Sequence, residues 1–187
     1  ERNIPLAAYT TFRIGGVAHI LATATAEAQI AAAVRVARKF DTGLRCIGGG
    51  SNLLVSDDGV DGIVLVNAIR RLSFEGGSAT VGAGYEWDSL VEASVSRGLG
   101  GIAGMSGIPG TVGGAVCGNA GAYGESVGDR VISVSVVDRE GQLREIEGAG
   151  LGFCYRGSAL KMSGEPIVRV RLALRPEDRR ALSELRQ

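Results

Sequence analysis

Charge of either sign in excess is missing from this sequence. Its 20 basic and 20 acidic side chains cancel, and a balanced surface argues against nucleic acid or an anionic membrane as the main partner. Histidine is nearly absent, His19 being alone, and Cys46, Cys117 and Cys154 form no Cys-x-x-Cys pair. No metal site is therefore expected. The odd cysteine count, with no Asn-x-Ser/Thr sequon, fits a reducing cytoplasm better than secretion. Lysine is scarce too: Lys39 precedes Phe40 and Lys161 precedes Met162, so no Gly-Lys-Ser/Thr phosphate loop exists. No Gly-x-Gly-x-x-Gly occurs either, which removes the Rossmann fingerprint. The first residues are polar and broken by Pro5, so no signal peptide is read, and the missing initiator Met suggests a trimmed chain.

What the chain has instead is glycine, 30 of its 187 residues, roughly double the usual share. Eleven of these fall in the uncharged stretch from Gly98 to Gly124. That stretch is long enough to cross a bilayer, but so many glycines would make a poor lipid-exposed helix, and a membrane span is rejected.

The hydrophobic pattern alternates between helix and strand periods, which predicts an α+β fold. Thr25 reads as the cap of a helix whose inner face carries Ile30, Ala33, Val34 and Ala37. Strands are expected at Leu44 to Ile47, at Leu53 to Val55 and at Ile63 to Val66, the last two separated by the turn Asp57-Asp58-Gly59. Ala79 to Ala83 is a further strand. A helix with Trp87, Leu90, Val91 and Val95 on one face should be stopped by Gly98 as its first left-handed residue. Ile132, Val134 and Val136 alternate with Ser133 and Ser135, as in a strand with one buried face. Asp138 to Gly141 is a hairpin turn before the return strand Leu143 to Ile146. Val168, Val170, Leu172 and Leu174 mark one more strand, and Pro176 should open a helix with Ala181, Leu182 and Leu185 inside. The expected organisation is two α+β subdomains, residues 1–70 and 71–175. A break near Val66 to Gly76 separates them, and residues 176–187 begin something further.

Two glycine segments carry the chemistry. Gly48-Gly49-Gly50-Ser51-Asn52 directly follows a strand, and its backbone N–H groups are unshielded by any Cβ. It is either an anion nest, with Ser51 and Asn52 adding donors, or a wide turn. From Gly101 to Gly113 every third residue is glycine. Proline stands only at Pro109 there, so collagen fails, and the intervening Ile, Ala, Met and Val do not suit a flexible linker. Either backbone packs on backbone, or the tract lets something large and flat approach closely. Together the segments suit a dinucleotide held by main-chain donors, and flavin fits better than nicotinamide. On that reading a valine at Gly49 or Gly113 should fill space the cofactor needs.

Five motifs occur in order: Tyr9-Thr10-Thr11-Phe12-Arg13-Ile14-Gly15-Gly16; Gly48 to Val55; the tract from Gly104 to Val116; Asn119-Ala120-Gly121-Ala122-Tyr123-Gly124; and Phe153-Cys154-Tyr155-Arg156-Gly157-Ser158. In these the chain closely resembles the UDP-N-acetylenolpyruvoylglucosamine reductase family, from Tyr9 to about Leu174. The resemblance implies an FAD-binding domain of the vanillyl-alcohol-oxidase (PCMH) type in a cytoplasmic, monomeric bacterial enzyme of peptidoglycan precursor synthesis. In that family NADPH reduces FAD, which then passes hydride to the enolpyruvyl group of UDP-N-acetylglucosamine enolpyruvate. Residue by residue it implies Arg156 as the catalytic arginine, with Tyr155 and Ser158 on the substrate side. The cofactor set it implies is Arg13, Gly15, Gly48, Gly49, Gly50, Ser51, Asn52, Leu53, Gly104, Met105, Ser106, Gly107, Pro109, Gly110, Thr111, Gly113, Gly114, Asn119, Gly121, Tyr123 and Val168.

One departure stands out. The family's proton-donating serine sits downstream in a Gly-Ser-Phe-Phe-Lys-Asn-Pro-like segment, with a glutamate near the C-terminus. After Arg156 the serines are Ser158, Ser163 and Ser183, none in that context, and Glu165, Glu177 and Glu184 lack it as well. The chain therefore reads as the FAD-binding part, with a non-catalytic flavin-binding module as the alternative. His19 is expected to be an ordinary partly buried histidine, and Cys117 either lines the flavin pocket or packs as a small thiol.

Overall fold

The structure, a computed structural model, describes residues 1–186. Four strands form the first sheet: β1 (Arg2–Pro5), β2 (Val17–Ala24), β3 (Leu44–Ile47) and β4 (Val60–Asn67). Their spatial order is β1-β2-β4-β3, with β2 and β3 parallel to β4 and β1 antiparallel to β2. A crossover helix, α1 (Glu27–Lys39), joins β2 to β3, as two parallel strands of one sheet require. Its cap is Ala26, one residue after the expected Thr25. The Gln29 carboxamide oxygen folds back to accept from the amides of both Thr25 and Ala26.

The second sheet is antiparallel, in the order β11-β10-β12-β6-β5. Its strands are β5 (Leu72–Glu75), β6 (Ser78–Gly82), β10 (Val131–Val137), β11 (Leu143–Glu147) and β12 (Ile167–Ala173). Between β6 and β10 lie α2 (Trp87–Val95), the short β7 (Leu99–Gly100), α3 (Val112–Cys117) and a small ribbon of β8 (Gly121–Ala122) with β9 (Glu125–Ser126). After β11 come α4 (Ala159–Ser163), β13 (Arg175–Pro176), paired with β7, and α5 (Arg179–Leu185). Among the described residues no helix is long and apolar enough to cross a membrane.

The largest core packs Trp87, Leu90, Ile102 and Met105 against Val134, Val136 and Leu172 of the second sheet. A second cluster, Ala24, Ile30, Leu65, Ile69, Val137 and Val168, joins the two halves of the molecule. At that seam Asn67 is buried with both ends of its carboxamide used. Its Nδ2 donates to the Ile167 carbonyl at 2.7 Å, and its Oδ1 accepts from the Ile69 amide. A buried amide satisfied on both sides costs little and fixes the approach of the halves.

Several local expectations are corrected. Leu53 to Val55 forms no strand, because no neighbouring strand pairs with it and Leu54 stands exposed. Gly98 is left-handed at φ +69, but the cap of α2 falls at Ser96, two residues earlier. The serine face of β10 is buried too, since α1 and the seam cluster cover it. Ser133 there donates to Glu145, and Ser135 accepts from Arg169. Pro176 lies in β13, and α5 is capped instead by Asp178, whose carboxylate accepts from the Ala181 amide. Only Leu182 of its apolar residues is buried. His19 is exposed rather than partly buried, 3.4 Å from Asp61.

Candidate functional site

A groove runs along the seam as two adjoining hollows of about 420 and 500 Å3, which share Gly48, Gly49, Val66 and Arg70. Three loops wall it: residues 8–13, the glycine run after β3, and residues 107–111. The run bends sharply because Gly50 takes φ +68, a conformation L residues disfavour. Gly50 thereby packs directly on the Tyr9 carbonyl, and its own carbonyl accepts from the Thr11 amide at 3.3 Å. Gly48 lies equally close to the Thr111 hydroxyl.

The run brings Gly48, Gly49 and Ser51 to the groove wall. Among the described residues, the amides of Gly48, Gly49, Gly50, Ser51 and Asn52 find no protein acceptor. Consecutive free amides of this kind form a nest for an anion. Arg13 lines the adjoining hollow and Arg70 lines both. Neither meets an acidic side chain among the described residues. Free amides and two unmatched guanidinium groups make one end of the groove attractive to phosphate. The far end carries Glu86 and Asp88. The Gly107 amide, donating at 2.9 Å, holds the Asp88 carboxyl below its ordinary range, and Arg186 acts in the same direction.

A second assembly stands on the other end of α3. Cys154 and Gly157 exchange backbone hydrogen bonds across a two-residue turn that presents Tyr155 and Arg156 to solvent. Arg156 is left-handed at φ +55, an uncommon state for a non-glycine residue that tends to mark functional turns. Its guanidinium carbon lies 5.9 Å from the Tyr155 ring centroid. Two side chains pin the turn to α3: the Ser158 hydroxyl donates to the Cys117 carbonyl at 2.8 Å, and Asn119 Nδ2 donates to the Cys154 carbonyl at 2.9 Å. Asn119 Oδ1 accepts from the Gly128 amide.

The residues singled out from sequence thus fall into three groups. Arg13, Gly48, Gly49, Ser51, Gly107, Pro109, Gly110 and Thr111 line the groove. Asn52 is exposed beside the nest and Leu53 half-buried behind it. Tyr155 and Arg156 mark the turn, with Asn119 and Ser158 beneath it and every polar group of those two side chains engaged within the protein. The rest reach neither hollow. Val168 is fully buried in the seam cluster and Met105 in the main core. Gly15 packs on Val55, Gly50 on Tyr9, and Gly121 against Glu125 of the ribbon. Gly113 lies against Ala83, so a valine there would collide with β6's end rather than fill cofactor space. Gly104 and Gly114 have room for a side chain, Ser106 caps the 3-10 turn it ends, and Tyr123 is exposed. Burial pushes Cys117 up and Cys46 up to about 12, so Cys117 behaves as a packed thiol.

The groove residue that sequence reasoning missed is Arg70. No motif flags it, since it faces the nest only because Ile69 is buried at the seam.

Residues 18–147 match the family described as FAD binding domain. The chain belongs to that family. It is 43% identical over 183 residues to the UDP-N-acetylenolpyruvoylglucosamine reductase of Saccharopolyspora erythraea, which covers 94% of this chain and 50% of the relative. The crystal structure of the corresponding reductase from Thermus caldophilus superposes with a TM-score of 0.86 at 34% identity, over 98% of this chain and 65% of that one. A 6-hydroxy-D-nicotine oxidase from Arthrobacter nicotinovorans shares the fold alone, with a TM-score of 0.65 at 20% identity over 85% of this chain and 37% of that one. The fold is therefore the FAD-binding type of the vanillyl-alcohol-oxidase class. The chain spans about half the length of the curated relative it matches.

FAD fits the groove on the structure's own terms. Its pyrophosphate needs donors without lysine, and the nest amides with Arg13 and Arg70 would supply them. Its length needs an extended cleft, and the two joined hollows provide one.

Proposed function

We propose that this chain is the FAD-holding part of an enzyme that reduces UDP-N-acetylglucosamine enolpyruvate to UDP-N-acetylmuramate at the expense of NADPH. The setting is peptidoglycan precursor synthesis in the bacterial cytoplasm, and the enzyme acts as a monomer. The observation that carries the reading is the Tyr155–Arg156 turn, fixed by Asn119 and Ser158 to the same short helix whose N-terminal loop walls the groove. FAD, when bound, supplies the hydride carrier. Delivery of hydride to the substrate's methylene carbon leaves negative charge on the carbon that bears the carboxylate. The Arg156 guanidinium, a fixed fork with no carboxylate partner among the described residues, suits that charge. Tyr155 offers an exposed ring beside it. In this reading Ser158 supports the turn rather than touching substrate, because its hydroxyl is donated to Cys117. Residues from Pro176 onward lead toward a substrate-binding domain.

Purified chain should take up FAD and turn yellow, and the longer protein should oxidise NADPH only when the enolpyruvyl sugar is present. A chain that takes up no FAD on reconstitution defeats the proposal. One observation favours a second reading, a flavin module without turnover: among the described residues no acid group approaches the Arg156 guanidinium as a proton donor. Steady substrate-dependent NADPH oxidation by the chain alone would eliminate it.

A further inference from the structure

The loop that walls the groove, residues 107–111, is anchored at Ile108, which packs on the main core, and at Thr111, which is buried and bridges to Glu86. Its Gly107 end is held by the first turn of α2. The Trp87 indole is fully buried and donates to the Met105 carbonyl at 2.8 Å, and the Trp87 amide donates to the Gly110 carbonyl at 3.0 Å. Asp88 accepts from the Gly107 amide on Oδ1 and from Arg186 on Oδ2, at 2.9 and 3.0 Å. Arg186 follows α5 and also reaches Glu92 of α2 at 3.6 Å. Gly107 sits at φ +74 with open space around it, so the nearest packed side chain of the loop is Ile108, on the main core, and Gly107 itself is held by its amide. Asp88 thus joins the wall to the C-terminal cap of α5.

We infer that Asp88 is a positioning residue for the cofactor. Its carboxylate sets the 107–110 wall in the conformation that receives FAD, and Arg186 holds that carboxylate in place, so the seat of α5 bears on the groove. Trp87 fixes the two flanks of the same loop through Met105 and Gly110, which leaves the Gly107 amide as the point Asp88 controls. A hydrogen bond to a charged acceptor is worth more than a neutral one, and its loss here frees the exposed Gly107 end of the loop, which no side chain of its own packs. The inference rests on flavin occupying the groove.

The test compares the purified chain with Asp88→Ala, Asp88→Asn and Arg186→Ala. FAD affinity is read by flavin fluorescence, and hydrogen exchange is read amide by amide without flavin. Asp88→Ala should weaken FAD binding roughly tenfold, about the loss of one charge-assisted bond. It should also speed exchange at Gly107 while leaving Gly113, held by the Ala83 carbonyl, unchanged. Asp88→Asn keeps an acceptor for Gly107 but loses the ion pair, so it should fall between Asp88→Ala and the parent, as should Arg186→Ala. Parent affinity with unchanged Gly107 exchange in Asp88→Ala overturns the inference. So does faster exchange across all of α2 and α3, which would mark Asp88 as general support. If the parent itself takes up no FAD, the flavin assignment fails, and the Gly107 exchange pattern still decides what Asp88 holds.

Discussion

Gly50→Ala is the sharpest test of how the groove is built. A Cβ at this position would lie far inside contact distance of the Tyr9 carbonyl oxygen, 2.9 Å from the Tyr9 carbonyl carbon and 3.1 Å from the Thr10 Cα. All three are backbone atoms, so no side chain can swing aside. Holding alanine at φ +68 costs about 1–2 kcal/mol on its own. Forcing the clash into the seam adds about 1–3 kcal/mol. Together roughly 2–5 kcal/mol should disappear, which lowers the melting temperature of a chain this size by roughly 4–20 °C. Gly49→Ala is the matched control. Its Cβ would meet nothing closer than the Gly110 Cα at 3.4 Å, an ordinary contact, and its φ is not positive. The control should melt within about 2 °C of the parent while binding FAD more weakly, since the new methyl stands among the nest amides. Calorimetry and flavin titration on both variants separate the two effects. A Gly50→Ala protein that melts with the parent would refute the claim that the 9–10 loop and the nest are locked backbone to backbone.

Three further outcomes follow from the same structure. Arg70→Ala should leave the melting temperature unchanged but weaken FAD retention, with a deficit that shrinks as salt screens the phosphate; titrations at low and high ionic strength check this. Arg156→Gly should be about 1 kcal/mol more stable to urea than Arg156→Ala, because glycine accepts φ +55 freely, while Arg156→Ala in the longer protein should keep FAD and lose substrate reduction. Asp88 and Asp129 are both held below the ordinary 3.8, by the Gly107 amide and the Ser126 amide respectively. A depressed carboxyl stabilises the fold fully above its ordinary pKa and loses that contribution as pH falls through the folded value. The double variant Asp88→Asn/Asp129→Asn should therefore lose less stability than the parent between about pH 5 and pH 3, followed by circular dichroism.

Periodicity and turn chemistry made much of this fold legible. Leu44 to Ile47 is a strand with the bounds expected, and the Asp138–Gly141 turn closes through the Asp138–Gln142 pair. The misreadings share a cause: local pattern was outvoted by a partner that sequence does not name. Leu53 to Val55 is apolar like a strand, but the first sheet already ends at β3 and nothing pairs with the segment. Ser133 and Ser135 look like a solvent face, yet α1 from the other half of the chain covers them. At the site, the glycine run could be singled out because consecutive glycines leave a signature in the sequence, and Gly48, Gly49 and Ser51 do line the groove. Arg70 could not, being one arginine among many until Ile69 turns it into the groove. The motif singles out Asn119 and Ser158 but cannot show their contacts in the fold, where Ser158 donates to the Cys117 carbonyl and Asn119 to that of Cys154.

The tract of glycines spaced by three acquires a physical meaning once α3 is placed. Gly113 lets the start of that helix lie against Ala83, where any Cβ would come within 2.9 Å of the alanine methyl. Its amide donates to the Ala83 carbonyl, and the Val112 amide donates to that of Tyr85. The N-terminal end of α3 is thereby stitched to the connection between β6 and α2, with Thr111 on the groove wall. From there the helix runs six residues to Cys117, a rise of roughly 9 Å. At that end the Cys117 carbonyl receives Ser158, and Asn119 reaches Cys154. One short rigid element therefore sets the separation between the wall that faces the nest and the turn that offers Arg156. Neither loop could keep that distance alone, since one is glycine-rich and the other is a two-residue turn. Lengthening α3 by a single alanine after Val116 would rotate its C-terminal end by about 100° and shift the Tyr155–Arg156 turn relative to the groove wall. Such a variant should keep the nest and its FAD but lose the reaction in the longer protein. If that insertion variant kept parent turnover, the short helix could not be what couples cofactor to arginine.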